Sequence, residues 1–132
     1  MATIRRFEDI QAWQSARILC GRVFITMNET PLKHDYKLKE QINGASGSIK
    51  DNIAEGFGRA GNNEFIQFLE IAHAFACETQ SQLYRIRDRN YIVEEQFIEL
   101  YALTNESKNK IVALVNYLKT SSFKGVKFKD RT

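Results

Sequence analysis

Proline is nearly missing from the 132-residue sequence: Pro31 is the only one. Inside a helix a proline removes a backbone hydrogen bond and clashes with the preceding turn, so its absence after position 31 leaves long helices nothing to break them. Cysteine is scarce as well. Cys20 and Cys77 stand 57 positions apart with no cysteine beside either, which fits neither a zinc or redox signature nor a disulfide framework. Both are expected to be reduced and mostly buried, as free cysteines commonly are. No apolar run approaches the roughly 20 residues that span a bilayer. After Arg5 and Arg6 the acids Glu8 and Asp9 arrive before any apolar stretch forms, so no secretory signal is expected. A soluble, cytoplasmic protein follows as the expectation.

What is present is ordinary for a globular chain. Hydrophobic residues make up 43% and charged residues 27%, enough for one domain with its own core. Formal charge is +3, and its placement is uneven. Residues 122–132 carry Lys124, Lys127, Lys129 and Arg131 against Asp130, so the whole excess sits in this tail and residues 1–121 balance. The chain therefore divides into a domain over 1–121 and a basic tail.

Four segments repeat apolar residues at steps of three and four, the mark of one helical face. The first, 9–28, aligns Ile10, Trp13, Ala16 or Arg17, Cys20, Phe24 and Met27. The second, 35–57, aligns Leu38, Ile42, Ala45, Ile49, Ile53 and Gly56. The third, 62–87, aligns Phe65, Leu69, Ala72, Ala76, Leu83 and Ile86. The fourth, 94–121, aligns Phe97, Leu100, Thr104, Ser107, Ile111, Leu114 and Leu118. No strand-like alternation separates them, and the links are short, which favours antiparallel neighbours. The pattern predicts an all-α fold, an antiparallel up-down-up-down four-helix bundle.

The stretch most like a site is Ser48 to Gly61, SIKDNIAEGFGRAG. Just before it, Gly44 and Gly47 lie inside the second segment, where each glycine costs about 1 kcal/mol relative to alanine. Close approach of another helix accounts for them better than a phosphate loop, which needs G-x-x-x-x-G-K-[ST] after a strand. Gly56 and Gly58 bracket Phe57 and suit a left-handed cap ending the helix. Gly61, with Asn62 as a rival, begins the next helix, and Glu64 lies three residues after Gly61, in reach of its orphan amides. Asn52, Glu55 and Arg59 cluster at this corner and read as a hydrogen-bonded, ion-paired brace on the turn.

These residues also carry a resemblance. Phe7-Glu8-Asp9-Ile10 followed by Trp13, then Ser48-Ile49 with Asn52-Ile53-Ala54-Glu55-Gly56-Phe57-Gly58-Arg59, then Glu64-Phe65-Ile66-x-Phe68-Leu69-x-Ile71-Ala72, resembles the bacterial four-helix-bundle proteins encoded in intervening sequences of 23S ribosomal RNA genes. The resemblance implies a homopentamer of helical bundles, related to the accessory protein of diversity-generating retroelements, which binds nucleic acid and a reverse transcriptase. It implies no catalytic residues and leaves the biological role unknown. This chain departs from the family pattern at Lys50 and Asp51, where a proline and serine are usual, so a kink implied by the family is in doubt. Gly61 replaces the serine that opens the third helix.

Elsewhere, Glu70, His73 and Cys77 share a helical face, but a structural zinc needs a fourth protein ligand, so no metal and no cofactor are expected. Glu94 and Glu95 sit where a helix should begin and are explained by its dipole. No nucleophile lies on a recognisable elbow, and no enzyme is expected. The remaining lead is basic. Arg85, Arg87 and Arg89 end the third segment, and Phe123 and Phe128 interleave the lysines of the tail, a pattern suited to phosphate contacts with stacking on bases. Apolar residues off the main stripes, Phe68, Phe75, Ile98 and Val115, exceed what a lone bundle needs and point to self-association. The expected function is a homo-oligomeric nucleic-acid-binding bundle, RNA before DNA, with the seven basic residues named here as the binding set. The alternative is a scaffold docking a protein such as a reverse transcriptase. Deleting residues 122–132 should weaken RNA binding in a filter assay and leave the circular dichroism of the helices unchanged; equal binding would assign the tail a purely solvating role.

Overall fold

The computed structural model describes residues 4–59 and 61–120. They form helices α1 (Gln11–Glu29), α2 (Tyr36–Phe57), α3 (Asn62–Asp88) and α4 (Glu94–Thr120), with short 3-10 turns at Phe7–Asp9 and Pro31–His34 and no strand among them. Each helix packs on its neighbours in sequence, and α4 closes back onto α1. The antiparallel bundle expected from periodicity is the one observed, and α2 runs through Lys50 and Asp51 without interruption.

Three of the four apolar stripes lie as read. Leu38, Ile42, Ile49 and Ile53 of α2, Phe65, Leu69, Leu83 and Ile86 of α3, and Leu100, Ile111 and Leu118 of α4 are buried together. The stripe of α1 is displaced. Its inward face is Ala12, Ala16, Leu19, Val23 and Met27, whereas Phe24 is 63% exposed and Trp13 and Cys20 are half-buried. Two alanines, light in apolar surface, take buried positions on α1, and the bulkier aromatics are left outside it. Small hydroxyls populate the same interior. Ser46, Thr79 and Thr104 are buried and each donates to the carbonyl four residues back, at 2.7, 2.9 and 2.8 Å, so they occupy the core without asking a neighbouring helix for a partner.

The corners differ from one another. Between α1 and α2, Pro31 opens a 3-10 turn whose N-cap Thr30 accepts from the Leu32 amide, and Leu32 is fully buried beneath it. Asp35 then caps α2 by accepting from the Leu38 amide at 3.3 Å. Between α3 and α4 the chain turns through Asn90 at φ 60°. The Tyr91 amide donates to Ile86 O and the Asn90 amide to Arg87 O, the paired bonds of a helix ending in a left-handed residue.

The glycines of α2 and of the corner that follows it correct two expectations. Gly58 is right-handed helical, and no described glycine has positive φ; the left-handed cap expected at Gly56 and Gly58 is found at Asn90 instead. Gly56 serves close packing. A Cβ there would stand 2.5 Å from Phe68 Cβ and 3.2 Å from Phe65 Cδ1, because the last turn of α2 lies against the first turns of α3. Gly44 and Gly47, expected to receive a helix, have nothing within 4 Å of where a Cβ would stand. Gly56→Ala should therefore destabilise by about 1–3 kcal/mol, while Gly44→Ala and Gly47→Ala should each stabilise by about 0.5–1 kcal/mol. Urea unfolding midpoints measure all three, and equal effects at the three positions would contradict this assignment.

Candidate nucleic-acid interface

Arg85, Arg87 and Arg89 are adjacent in sequence but not in space, because steps of two in a helix swing successive side chains through about 200°. Arg85 and Arg89, one turn apart, face α2. Arg85 donates to Gln41 Oε1 at 2.9 Å, and Arg89 donates to Asp35 Oδ2 at 2.6 Å. Arg87 points the other way, toward α4. Its guanidinium lies 4.4 Å from the ring centre of Phe97 and 5.0 Å from that of Tyr84, and it makes long ion pairs with Asp88 and Glu94. A guanidinium held on two ring faces is less free to follow a phosphate backbone. Lys124, Lys127, Lys129 and Arg131 lie outside the described residues.

The pairings of Arg85 and Arg89 bring α2 residues missed in the sequence reading into the same place. Lys37 precedes Gln41 by one turn, so the two lie on one face of α2 beside Arg85 and Arg89. Lys33 and His34 are exposed in the adjoining turn. Among the described residues neither Lys33 nor Lys37 has a carboxylate within ion-pair distance. Lys39 sits 5.8 Å from the ring centre of Tyr36, which is 69% exposed. The result is one end of the bundle carrying Lys33, Lys37, Lys39, Arg85 and Arg89 with an open aromatic ring beside them. The signal was available in Pro31-Leu32-Lys33-His34-Asp35-Tyr36-Lys37-Leu38-Lys39, whose basic residues face a single acid.

Asp35 holds this end together. Its carboxylate accepts from the Tyr91 hydroxyl at 2.9 Å, from Arg89 and from the Leu38 amide, so one side chain joins the start of α2 to the corner between α3 and α4. The Tyr91 hydrogen bond, followed by those of Arg89 and Leu38, holds the Asp35 carboxyl below its ordinary range against the opposing cost of desolvation. The same bond raises the Tyr91 phenol.

At the other end, the brace read from Asn52, Glu55 and Arg59 is only partly joined. Glu55 and Arg59 pair at 2.8 Å, and the Arg59 guanidinium lies 4.9 Å from the ring centre of Phe68. Asn52 donates back to Ser48 O at 2.7 Å. Gly56 and Gly58 complete the turn as described. Cys77, expected to be mostly buried, is exposed on the outer side of α3, with its Sγ 3.9 Å from His73 Nδ1. Cys20 is half-buried and donates to Ser46 O, and burial raises its thiol pKa. Among the described residues no three His, Cys, Asp or Glu side chains gather where they could hold a metal. No described helix is long and apolar enough to cross a membrane.

A family model described as "23S rRNA-intervening sequence protein" matches residues 8–113. A crystal structure from Bacteroides thetaiotaomicron VPI-5482, described as a protein of unknown function from the S23 ribosomal protein family, shares the fold with a TM-score of 0.73 at 22% identity. The match covers 80% of this chain and 95% of that one. No curated protein matches the sequence.

Because the folded-state pKa of Asp35 lies below its unfolded value, its contribution to stability is present above the unfolded carboxylate value of about 4 and is lost as pH falls through the folded one. Asp35→Asn should melt below the wild type at neutral pH. The gap should close on acidification from about pH 5 downward. A gap that stays constant over this range would show that the charge of Asp35 adds nothing.

Proposed function

We propose, from the premise that this chain belongs to the 23S rRNA-intervening sequence protein family, that it is a non-enzymatic, self-associating helical bundle that binds the phosphate backbone of nucleic acid. One observation carries the reading: Lys33, Lys37, Arg85 and Arg89 converge where α2 begins and α3 ends, and the two lysines have no carboxylate partner among the described residues. Cations held at fixed spacing on two packed helices meet successive phosphates without reading bases, so the expected affinity is salt-dependent and weakly sequence-selective. Tyr36, exposed beside Lys39, offers a face on which an unpaired base can stack. RNA is favoured over DNA by the family's association with ribosomal RNA genes. The basic tail adds charge to the same polyanion, and self-association multiplies it through effective concentration.

Self-association is supported by large apolar side chains left in water on several helices, among them Ile18, Phe24 and Ile98, each more than half exposed. The same surfaces favour the second reading, a scaffold for a protein partner such as a reverse transcriptase, over any small-molecule chemistry.

Filter binding of ribosomal RNA fragments across a salt series tests the proposal. Binding at low salt should fall steeply as salt rises, and Lys33→Glu or Lys37→Glu should weaken it at least severalfold. Each neutralised contact should reduce the magnitude of the log–log salt slope by about 0.7–0.9. No binding at low salt, or affinity indifferent to salt, would end the nucleic-acid reading. Co-purification with a protein instead of RNA would favour the scaffold.

A further inference from the structure

Only one asparagine of the chain is followed by glycine: Asn43, with Gly44 after it. The backbone nitrogen of the residue after an asparagine can attack the side-chain carboxamide and close a cyclic imide, and with glycine there no Cβ obstructs the closing ring. Both reacting groups are open. Asn43 and Gly44 are exposed on the outer side of α2, and nothing lies within 4 Å of where a Gly44 Cβ would stand. The Asn43 carboxamide has no hydrogen-bond partner among the described residues. Those of Asn28 and Asn52 are tied to the carbonyls of Phe24 and Ser48 at 2.8 and 2.7 Å, and that of Asn105 accepts from Gln80.

The helix itself is the gate. While α2 is intact, the Gly44 amide hydrogen is engaged by the carbonyl of Glu40, and a helical ψ of about −42° at Asn43 holds the nitrogen away from the carboxamide carbon. The turn that must open is weakly held. Gly44 and Gly47 both lack the side chain that favours a helix. Between them, the Ser46 hydroxyl donates to Ile42 O at 2.7 Å and reaches Asn43 O at 3.4 Å, drawing on carbonyls that the helix uses for its own bonds.

We infer that Asn43 is a self-modifying site, deamidating through a succinimide formed with Gly44 at a rate set by local opening of α2. The Gly44 nitrogen gives its proton to solvent and bonds to Asn43 Cγ, the Cγ–Nδ2 bond breaks, and ammonia leaves. Water, the only co-reactant, then opens the ring at either carbonyl. One opening leaves an aspartate, a new charge on the exposed face of α2. The other leaves an isoaspartate, in which the chain runs through the former side chain. That product inserts an extra backbone atom in the middle of α2, and it disconnects the half carrying Lys37 and Gln41 from the half held against Phe65 and Phe68 at Gly56.

Peptide mapping by mass spectrometry, with enzymatic methylation to mark isoaspartate, tests this on the full chain incubated at mildly alkaline pH. Asn43 should convert ahead of every other asparagine, and faster still in a chain unfolded by urea. Gly47→Ala leaves the Asn-Gly pair intact and tightens the turn; it should slow conversion in the folded protein about two- to fivefold and leave the unfolded rate unchanged. Ile111→Val trims a buried side chain on α4 and lowers the stability of the whole bundle. Its folded protein should convert near the wild-type rate, because the opening that matters is local. If Asn43 stays intact in the folded protein while the unfolded chain converts, or another asparagine converts first, the inference is overturned. A Gly47→Ala rate equal to the wild type, or an Ile111→Val rate raised in proportion to the lost stability, overturns it as well by removing α2 from the gate.

Discussion

The close crossing of α2 and α3 at Gly56 is the constraint on which the rest of the molecule depends. With no side chain at that position, the last turn of α2 lies directly against Phe65 and Phe68, and Phe57 meets Phe65 edge to face at 5.9 Å. This fixes the axial register of two helices that run antiparallel for about 30 Å. At the far end the same register places Gln41 opposite Arg85 and Asp35 opposite Arg89. A shift of one turn at the glycine corner would carry the arginines past their α2 partners and disperse the cations gathered there. The site thus inherits its geometry from a contact at the opposite end of the helices.

Asp35 makes that inheritance stiff. It satisfies an orphan amide at the start of α2, accepts a hydrogen bond from the phenol of Tyr91 in the corner between α3 and α4, and receives a guanidinium from the end of α3. Coupling three segments through one carboxylate leaves Arg89 partly neutralised, so positive potential at this end belongs more to the lysines around it than to the arginine most firmly held. Arg87, lodged against Tyr84 and Phe97, contributes mainly to the seam between α3 and α4. Among basic residues, those with the best-defined structural contacts are the less available for a ligand.

The architecture was legible because α2, α3 and α4 place isoleucine, leucine and phenylalanine at helical spacing with polar residues between them. The phase of α1 was not, since Trp13 and Phe24 outweigh Ala12 and Ala16 in any reading of hydrophobicity, while the interior selects for size as well as apolarity. The Arg85, Arg87 and Arg89 run was visible as composition but hid its division between two faces. Asp35 and Tyr91 are 56 positions apart, and nothing local announces a bond between them. The corner at Asn52, Glu55 and Arg59 stood out for its glycines, yet the role of Gly56 becomes evident only once Phe68 is seen against it.

Gly44 and Gly47 take on a different meaning once both are known to face open space. They loosen the backbone of α2 midway between its two anchored ends without any packing return inside this chain. The helix that carries both corner contacts is thereby weakest in its middle, so the first subglobal opening of the bundle should begin as a bubble in α2 rather than as fraying from its termini. Amides around these glycines would then be the earliest to exchange with solvent within an otherwise long-lived core.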